Sequence, residues 1–448
     1  SGLPGHISLK EKRSMKIPHT RASRMLVLLA VALALPAAEA WSAGYEKATT
    51  WSGRYVGIGG AAASIASGSE AIYFNPAGLA GTERAEASLN LSPTFAQLEG
   101  KMPSYSPNAQ FSVEGNRKMA PVAGTTAAYP VSDRFSVGLG FYVVGGMKAF
   151  YEDVSFQAIA PWATLTPTVK ADLEITEFAL GTAYQLTPRW KIGAAWRVVD
   201  VNTDFSTAKM SLTNGVPVLR NIHFEGMSDT RYDGVRLGVQ YQAPDDRWGF
   251  GAVWRNEVAF EARGKTSGVF QAPVGGIQTL PGGTASIKNV LPQQFSLGFY
   301  YRETPELTLL AEYSWTEYSA NRVLDVTGNL GPTSLDTSGD ITQNWCNVSN
   351  IRLGAEYTGF GPWALRAGYV YTTRATPSDQ ARATFSVPGH GHTFTLGVGR
   401  SLRERVEINA ALEYSFASGR GSNAADGITE GSFRSDAVVL HTGAMYRF

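Results

Sequence analysis

One cysteine, Cys346, occurs in 448 residues, so no intramolecular disulfide can form and stability must come from backbone pairing and packing. Charge is also scarce. Asp, Glu, Lys and Arg make up 17% of the chain and the formal net charge is +1, which leaves no cationic surplus to face the phosphates of a nucleic acid. No apolar run reaches the about 20 residues that a helix needs to cross a hydrocarbon core. The longest, Met25 to Ala38, falls short. Enzyme signatures are absent as well: there is no Gly-x-Ser-x-Gly elbow and no phosphate loop. His390-Gly391-His392 lacks a third ligand at zinc spacing, so neither a metal nor a cofactor is expected. What the chain has in quantity is glycine, 48 residues, together with 10 tryptophans, 19 tyrosines and 21 phenylalanines.

The apolar run near the start reads as an export signal. Arg13, Lys16, Arg21 and Arg24 give a basic region, "MLVLLAVALALPAA" an apolar one, and Ala38-Glu39-Ala40 a small-residue cleavage pattern. Beyond it, alternation with a period of two recurs, which is the signature of strands half exposed to two different media. In "RWKIGAAWRV", Trp190, Ile192, Trp196 and Val198 face one way, and Lys191, Gly193, Ala195 and Arg197 the other. The same sorting puts Arg236 on the polar side of "VRLGVQY", and Glu177, Glu312, Glu356 and Glu413 on the polar sides of their own strands.

Fourteen strands are expected, near 85–99, 120–131, 134–147, 172–187, 189–205, 231–243, 247–262, 292–303, 306–318, 350–358, 363–373, 391–401, 404–417 and 435–448. Their connections alternate between short turns ("VSDR", "LTPR", "APDDR", "ETPEL", "TGFGPW", "LRER") and stretches of roughly 17 to 32 residues. An even strand number, short turns on one side and long loops on the other describe an all-β, antiparallel transmembrane β-barrel of an outer membrane, with both termini in the periplasm. Trp190, Trp248 and Trp363 follow short turns, where an aromatic girdle belongs, and the chain ends on Phe448. A soluble sandwich explains neither the alternation of loop lengths nor the final aromatic.

Fourteen strands enclose more space than wall side chains fill. The run "AGYEKATTWSGRYVGIGGAAASIASGSEAIYFNPAGLAG" is small-residue rich and without period, and suits a plug. Within it Asn75 is a strong N-cap and Pro76 suits the first helical position, so "FNPAGL" is expected to open one helical turn. The signal, "NPAGL", the start "AGYEKAT" and a barrel ending in Phe together resemble the FadL-type transporters of long-chain fatty acids, a family that includes uptake channels for aromatic hydrocarbons. The resemblance implies cleavage after Ser42 rather than Ala40. The segment before Met15 reads as an upstream extension, which with the signal takes up 1–42; the hatch, inside the lumen as the resemblance implies, is expected over 43–83 and the barrel over 84–448.

It further implies capture of a hydrophobic ligand at outer loops and sideways exit through the wall, with no chemical step. Asn75, Pro76, Ala77 and Gly78 are the hatch candidates; Gly145-Gly146, which interrupts the third strand, is the gate candidate. The long loops "STAKMSLTNGVPVLRNIHFEGMSD" and "RGKTSGVFQAPVGGIQTLPGGTASIKNV" supply capture candidates Met210, Leu212, Phe270 and Ile277, and Tyr45, Arg197 and Arg236 would hold a carboxylate. The expected partners are a hydrophobic small molecule, outer-membrane lipid and the assembly machinery that reads Phe448. No nucleic acid partner is expected, and the chain is expected to be monomeric. Rival readings are a monoaromatic hydrocarbon channel, a general diffusion porin and, last, an outer-membrane hydrolase.

Overall fold

The computed structural model describes residues 44–46, 49–104, 106–330, 335–336, 340–402 and 405–448. The export signal and both cleavage positions lie outside them. The wall is a closed antiparallel barrel of fourteen strands. In order these are β1 (Glu86–Lys101), β2 (Lys118–Ser132), β3 (Phe135–Tyr151), β4 (Val169–Gln185), β5 (Trp190–Thr213) and β6 (Val216–Gln242). Next come β7, in two pieces (Trp248–Arg255 and Val258–Gln271), and β8, also in two (Ile277–Leu291 and Gln294–Thr304). The circuit continues through β9 (Leu307–Thr316), β10 (Val348–Phe360), β11 (Trp363–Thr372), β12 (Gly391–Leu402), β13 (Val406–Asn423) and β14 (Ile428–Arg447). It closes where β14 pairs with β1, from Glu86↔Arg447 to Glu99↔Arg434. Closure pairs the first strand with the last, which removes the two free edges an open sheet would present to lipid.

Alternation sorts the wall as its residue types require. Trp196 is 43% exposed on the outside, while its neighbour Arg197 is 3% exposed and points inward. Leu139, Phe141, Leu180, Leu237, Leu353 and Leu412 form part of the outward apolar band, and Trp190, Trp248 and Trp363 lie on it at the short-turn end.

Two stretches expected as loops fold as strands. β5 and β6 run on beyond the barrel and pair from Phe205↔Phe224 to Thr213↔Val216, and β7 and β8 do the same from Leu291↔Val258 to Ile277↔Gln271. The reason lies at the tips. Asn214 and Gly215, both at positive φ (51° and 79°), make the two-residue turn whose twist matches a hairpin, and Gly275 and Gly276 (104° and 70°) end the other. Met210, Leu212, Phe270 and Ile277 therefore sit on paired strands rather than in loops.

Residues 49–83 pack inside the ring. They include α1 (Gly53–Val56), α2 (Ala71–Phe74) and a 3₁₀ turn (Pro76–Gly81). Trp51, Tyr55, Ile58, Ile72 and Leu79 are buried. The wall receives them on glycine. A Cβ at Gly193 would lie 2.3 Å from the carbonyl carbon of Pro76, one at Gly251 2.0 Å from Ala63 O, and one at Gly368 2.1 Å from Gly59 N. Much of the glycine in this sequence is thus clearance for a backbone inside the barrel.

Candidate functional site

On the long-hairpin side the lumen holds a cavity of about 450 Å³. Inward-facing apolar residues of neighbouring strands line it: Met147 from β3, Leu173 from β4, Phe205 from β5, Phe224 from β6, Phe260 from β7 and Ile287 from β8. Phe205 and Phe224 stack at 4.1 Å with ring planes 7° apart, a cross-strand aromatic pair. Basic residues join the lining at Lys101, Lys170, Lys209 and Arg382. Asp426 accepts from Arg382 Nε at 2.6 Å and from Lys209 Nζ at 3.2 Å, and Lys170 pairs with Asp204 at 3.3 Å. Among the described residues Lys101 has no carboxylate partner. The arrangement accepts an apolar body and offers one unmatched ammonium to a polar head.

Tyr45 closes the inner side of this cavity. Its hydroxyl is held by Asn289 Nδ2 and by Gln343 Nε2 (3.2 Å), its ring packs 4.8 Å from that of Trp345, and its backbone N–H donates to Tyr318 Oη at 3.0 Å. Its carbonyl accepts from Gly146 N at 2.9 Å. That bond falls on a bulge in β3, where the register with β4 skips from Val143↔Thr176 to Gly145↔Ile175. Glycine is required at both positions. Gly146 has φ +155°, and a Cβ on Gly145 would stand 2.6 Å from Tyr45 O.

The same bulge borders a break in the wall. β2 and β3 pair from Ser132↔Phe135 to Gly124↔Tyr142 and no further. Beyond that point β2 follows β1 alone, down to Ala96↔Lys118, and β3 follows β4 alone, up to Tyr151↔Val169. Higher up the two sides meet again, where Asn116 N donates to Phe150 O (2.6 Å) and Lys118 pairs with Glu152 (2.8 Å). A window is left between, lined by Ala120, Pro121, Val122, Val144, Gly145 and Gly146. Pro93 faces Pro121 across the β1–β2 ladder. Two prolines have no N–H to exchange, so Pro121 suits a strand whose other edge is unpaired. Met147 and Leu173 line both this window and the apolar cavity.

The Asn-Pro turn is built as its residues suggest. Asn75 Oδ1 accepts from Ala77 N at 3.1 Å and caps the turn opened by Pro76. Its amide nitrogen donates to Ala63 O at 2.7 Å and to Val239 O of β6 at 3.0 Å, joining the inner segment to itself and to the wall. Ala77 and Gly78 are buried beneath it, and a Cβ on Gly78 would lie 2.0 Å from Ala66 O.

Arg197 and Arg236 converge on one acid. Glu177 accepts from Arg197 Nε at 2.7 Å and from Arg236 Nη1 at 2.9 Å, with Tyr142 Oη at 2.9 Å completing the cluster. Arg236 also donates to Ile72 O of the inner segment at 3.2 Å. Of the expected ligand residues, only Tyr45 lines the large cavity. Met210 is buried in the β5–β6 hairpin, Phe270 is partly buried, and Leu212 and Ile277 are exposed near hairpin tips. The cavity residues that sequence reasoning passed over carried a signal, which was apolar residues continuing in the inward register: Leu173 and Ile175 precede inward Glu177 with a period of two.

His390 and His392 each meet a tyrosine hydroxyl, Tyr371 at 3.0 Å and Tyr369 at 2.8 Å. Among the described residues no group of three or more His, Cys, Asp or Glu is placed to hold a metal ion.

Residues 33–448 match the family model for the outer membrane protein transport protein, OMPP1/FadL/TodX. The long-chain fatty acid transport protein of Escherichia coli O6:H1 is 23% identical, over 94% of this chain and 97% of its own. The fold is shared with a Pseudomonas aeruginosa FadL homologue (TM-score 0.73, 17% identity, 91% of this chain and 100% of that one). It is shared equally with the Pseudomonas putida toluene transporter TodX (TM-score 0.74, 15% identity, 90% and 99%). The chain belongs to the OMPP1/FadL/TodX family of outer-membrane transport proteins for hydrophobic compounds.

Proposed function

We propose that the protein carries an amphiphilic hydrophobic acid, of the long-chain fatty acid class, passively from outside the cell into the outer membrane by sideways exit. One observation carries this reading: Met147 and Leu173 are walls of both the apolar cavity and the window between β2 and β3, so one layer of side chains separates the two. Cargo enters the cavity from the long-hairpin side, with Leu212, Phe270 and Ile277 as apolar surface along its approach and Met210 buried within the β5–β6 hairpin. Burial supplies the attraction, at roughly 25 cal/mol per Å² of apolar surface. Lys101 takes the carboxylate first. Tyr45 and the bulge at Gly145-Gly146 form the gate, and the hatch, residues 43–83 with Asn75 to Gly78 at its base, shifts to open it. Arg197 and Arg236, tied to Glu177, would meet a carboxylate only after that shift.

A second reading, a neutral monoaromatic hydrocarbon as cargo, is favoured by the apolar lining and by the acids already engaged with its cations, Asp204 with Lys170 and Asp426 with both Lys209 and Arg382. Uptake of radiolabelled oleate and of toluene by cells lacking transporters of this family separates them. Oleate uptake that falls several-fold in Lys101→Met supports the acid; toluene uptake unaffected by that change, with no oleate uptake, supports the hydrocarbon. The protein acts as a monomer in this scheme, and Phe448, exposed beside Tyr446, marks the last strand for the assembly machinery.

A further inference from the structure

A second cavity, of about 70 Å³, lies between the inner segment and the wall and shares no lining residue with the large one. It is polar. Arg236, Arg255 and Arg352 line it together with Glu46, Glu312 and Thr50. Through Arg236 the cluster extends to Glu177 and Arg197. Each carboxylate is already engaged: Glu177 by Arg197 and Arg236, Glu46 by Arg255, and Glu312 by Arg352 at 3.2 Å and by Ala63 N at 2.8 Å. Among the described residues this buried cluster therefore sets four guanidinium groups against three carboxylates.

A buried charge without a counter-charge is among the costliest features of a protein interior. Two donors point to where the balance is restored. Arg255 is 5% exposed, and its Nε has no partner among the described residues; the same holds for the buried Thr50 Oγ1. Both residues line the small cavity, one from the wall and one from the inner segment. Ligands of drug size occupy pockets of about 300 Å³ or more, so the space suits a small ion or one head group and not a hydrocarbon.

We infer that this cavity is a monovalent-anion site, in which a halide or a carboxylate group accepts from Arg255 Nε and Thr50 Oγ1 and completes the charge of the four-arginine cluster. Held between wall and inner segment, the anion acts as a tie between them. Guanidinium and hydroxyl donors discriminate by charge and size rather than identity, so the same chemistry serves a free inorganic anion or the head of an acidic cargo.

The test uses the full-length protein purified in detergent. Crystals soaked in sodium bromide are expected to give an anomalous peak within hydrogen-bonding reach of Arg255 Nε. Thermal unfolding at matched ionic strength is expected to have a higher midpoint in bromide than in gluconate, which is too bulky to enter. Acetate equal to or better than bromide assigns the site to carboxylate heads; bromide well above acetate assigns it to inorganic anions. Thr50→Val keeps the shape and removes one donor, and should raise the bromide concentration for half-maximal stabilisation about threefold. No peak in this cavity, equal midpoints in all three salts, or an unchanged half-maximal concentration in Thr50→Val overturns the assignment.

Discussion

Asn75 spends both ends of its amide: the oxygen caps a turn, and the nitrogen reaches a carbonyl of its own segment and one of β6. Removing a cap costs about 1 kcal/mol, and leaving buried polar partners unmet costs about 1–3 kcal/mol more. Asn75→Ala should thus loosen the inner segment by about 2–4 kcal/mol, seen as faster amide exchange over residues 49–83, while the barrel still assembles. Uptake and resting conductance should change with it; if both stay at wild-type values, the motif serves packing alone.

Glu70 gives a pH dependence at the same scale. It is buried in the inner segment, where desolvation raises its pKa despite hydrogen bonds from Ser52 Oγ (2.6 Å) and Asn90 Nδ2 (2.8 Å). A raised carboxyl pKa in the folded state means that its contribution to stability is complete below the unfolded value of about 4.3 and is lost as pH rises through the folded one. Amide protection of residues 49–83 should accordingly fall as pH rises over that window, and Glu70→Gln should flatten the slope. A steeper slope in the variant would contradict the assignment.

Among elements, the proposed exit rests on an irregularity of β3. Val144 is the extra residue of its bulge, and deleting it restores an unbroken register with β4. The expected outcome is a folded barrel with heat-resistant migration on gels but little uptake, because β3 then runs straight beside β2; full uptake in the deletion would remove the bulge from the pathway. How much of this the sequence disclosed differs by element. Alternation of Trp190 to Val198 marked the wall because lipid and lumen select opposite residue types at every second position. The outward run of β5 to β8 was hidden because both faces there meet similar surroundings and the pattern fades, leaving Asn214-Gly215 as the surviving hairpin signal. The site was least legible. Gly145-Gly146 was visible as an interruption, but the meeting of Met147 with Leu173, Phe205, Phe224, Phe260 and Ile287 depends on pairing across six strands that no local window contains.

For the whole molecule, glycine clearance and carboxylate caps make the inner segment fit one lumen closely. Glu86 Oε1 accepts from Ser69 N at 2.5 Å and Glu312 Oε2 from Ala63 N at 2.8 Å. In planar bilayers the intact protein should therefore carry little steady current, and deletion of residues 43–80 should raise it severalfold. Large steady current through the intact chain would favour an open porin instead.

The window also has a mechanical meaning. A ring bears circumferential load only through unbroken ladders, and between β2 and β3 the load passes through the pairs from Gly124↔Tyr142 to Ser132↔Phe135, with a second bridge at Asn116 and Phe150. That seam holds fewer ladder pairs than the one β3 makes with β4 on its other side. In the proposed sideways exit, lateral pressure and bilayer thickness act on this circumference, so the membrane becomes a participant in the passage rather than only its destination.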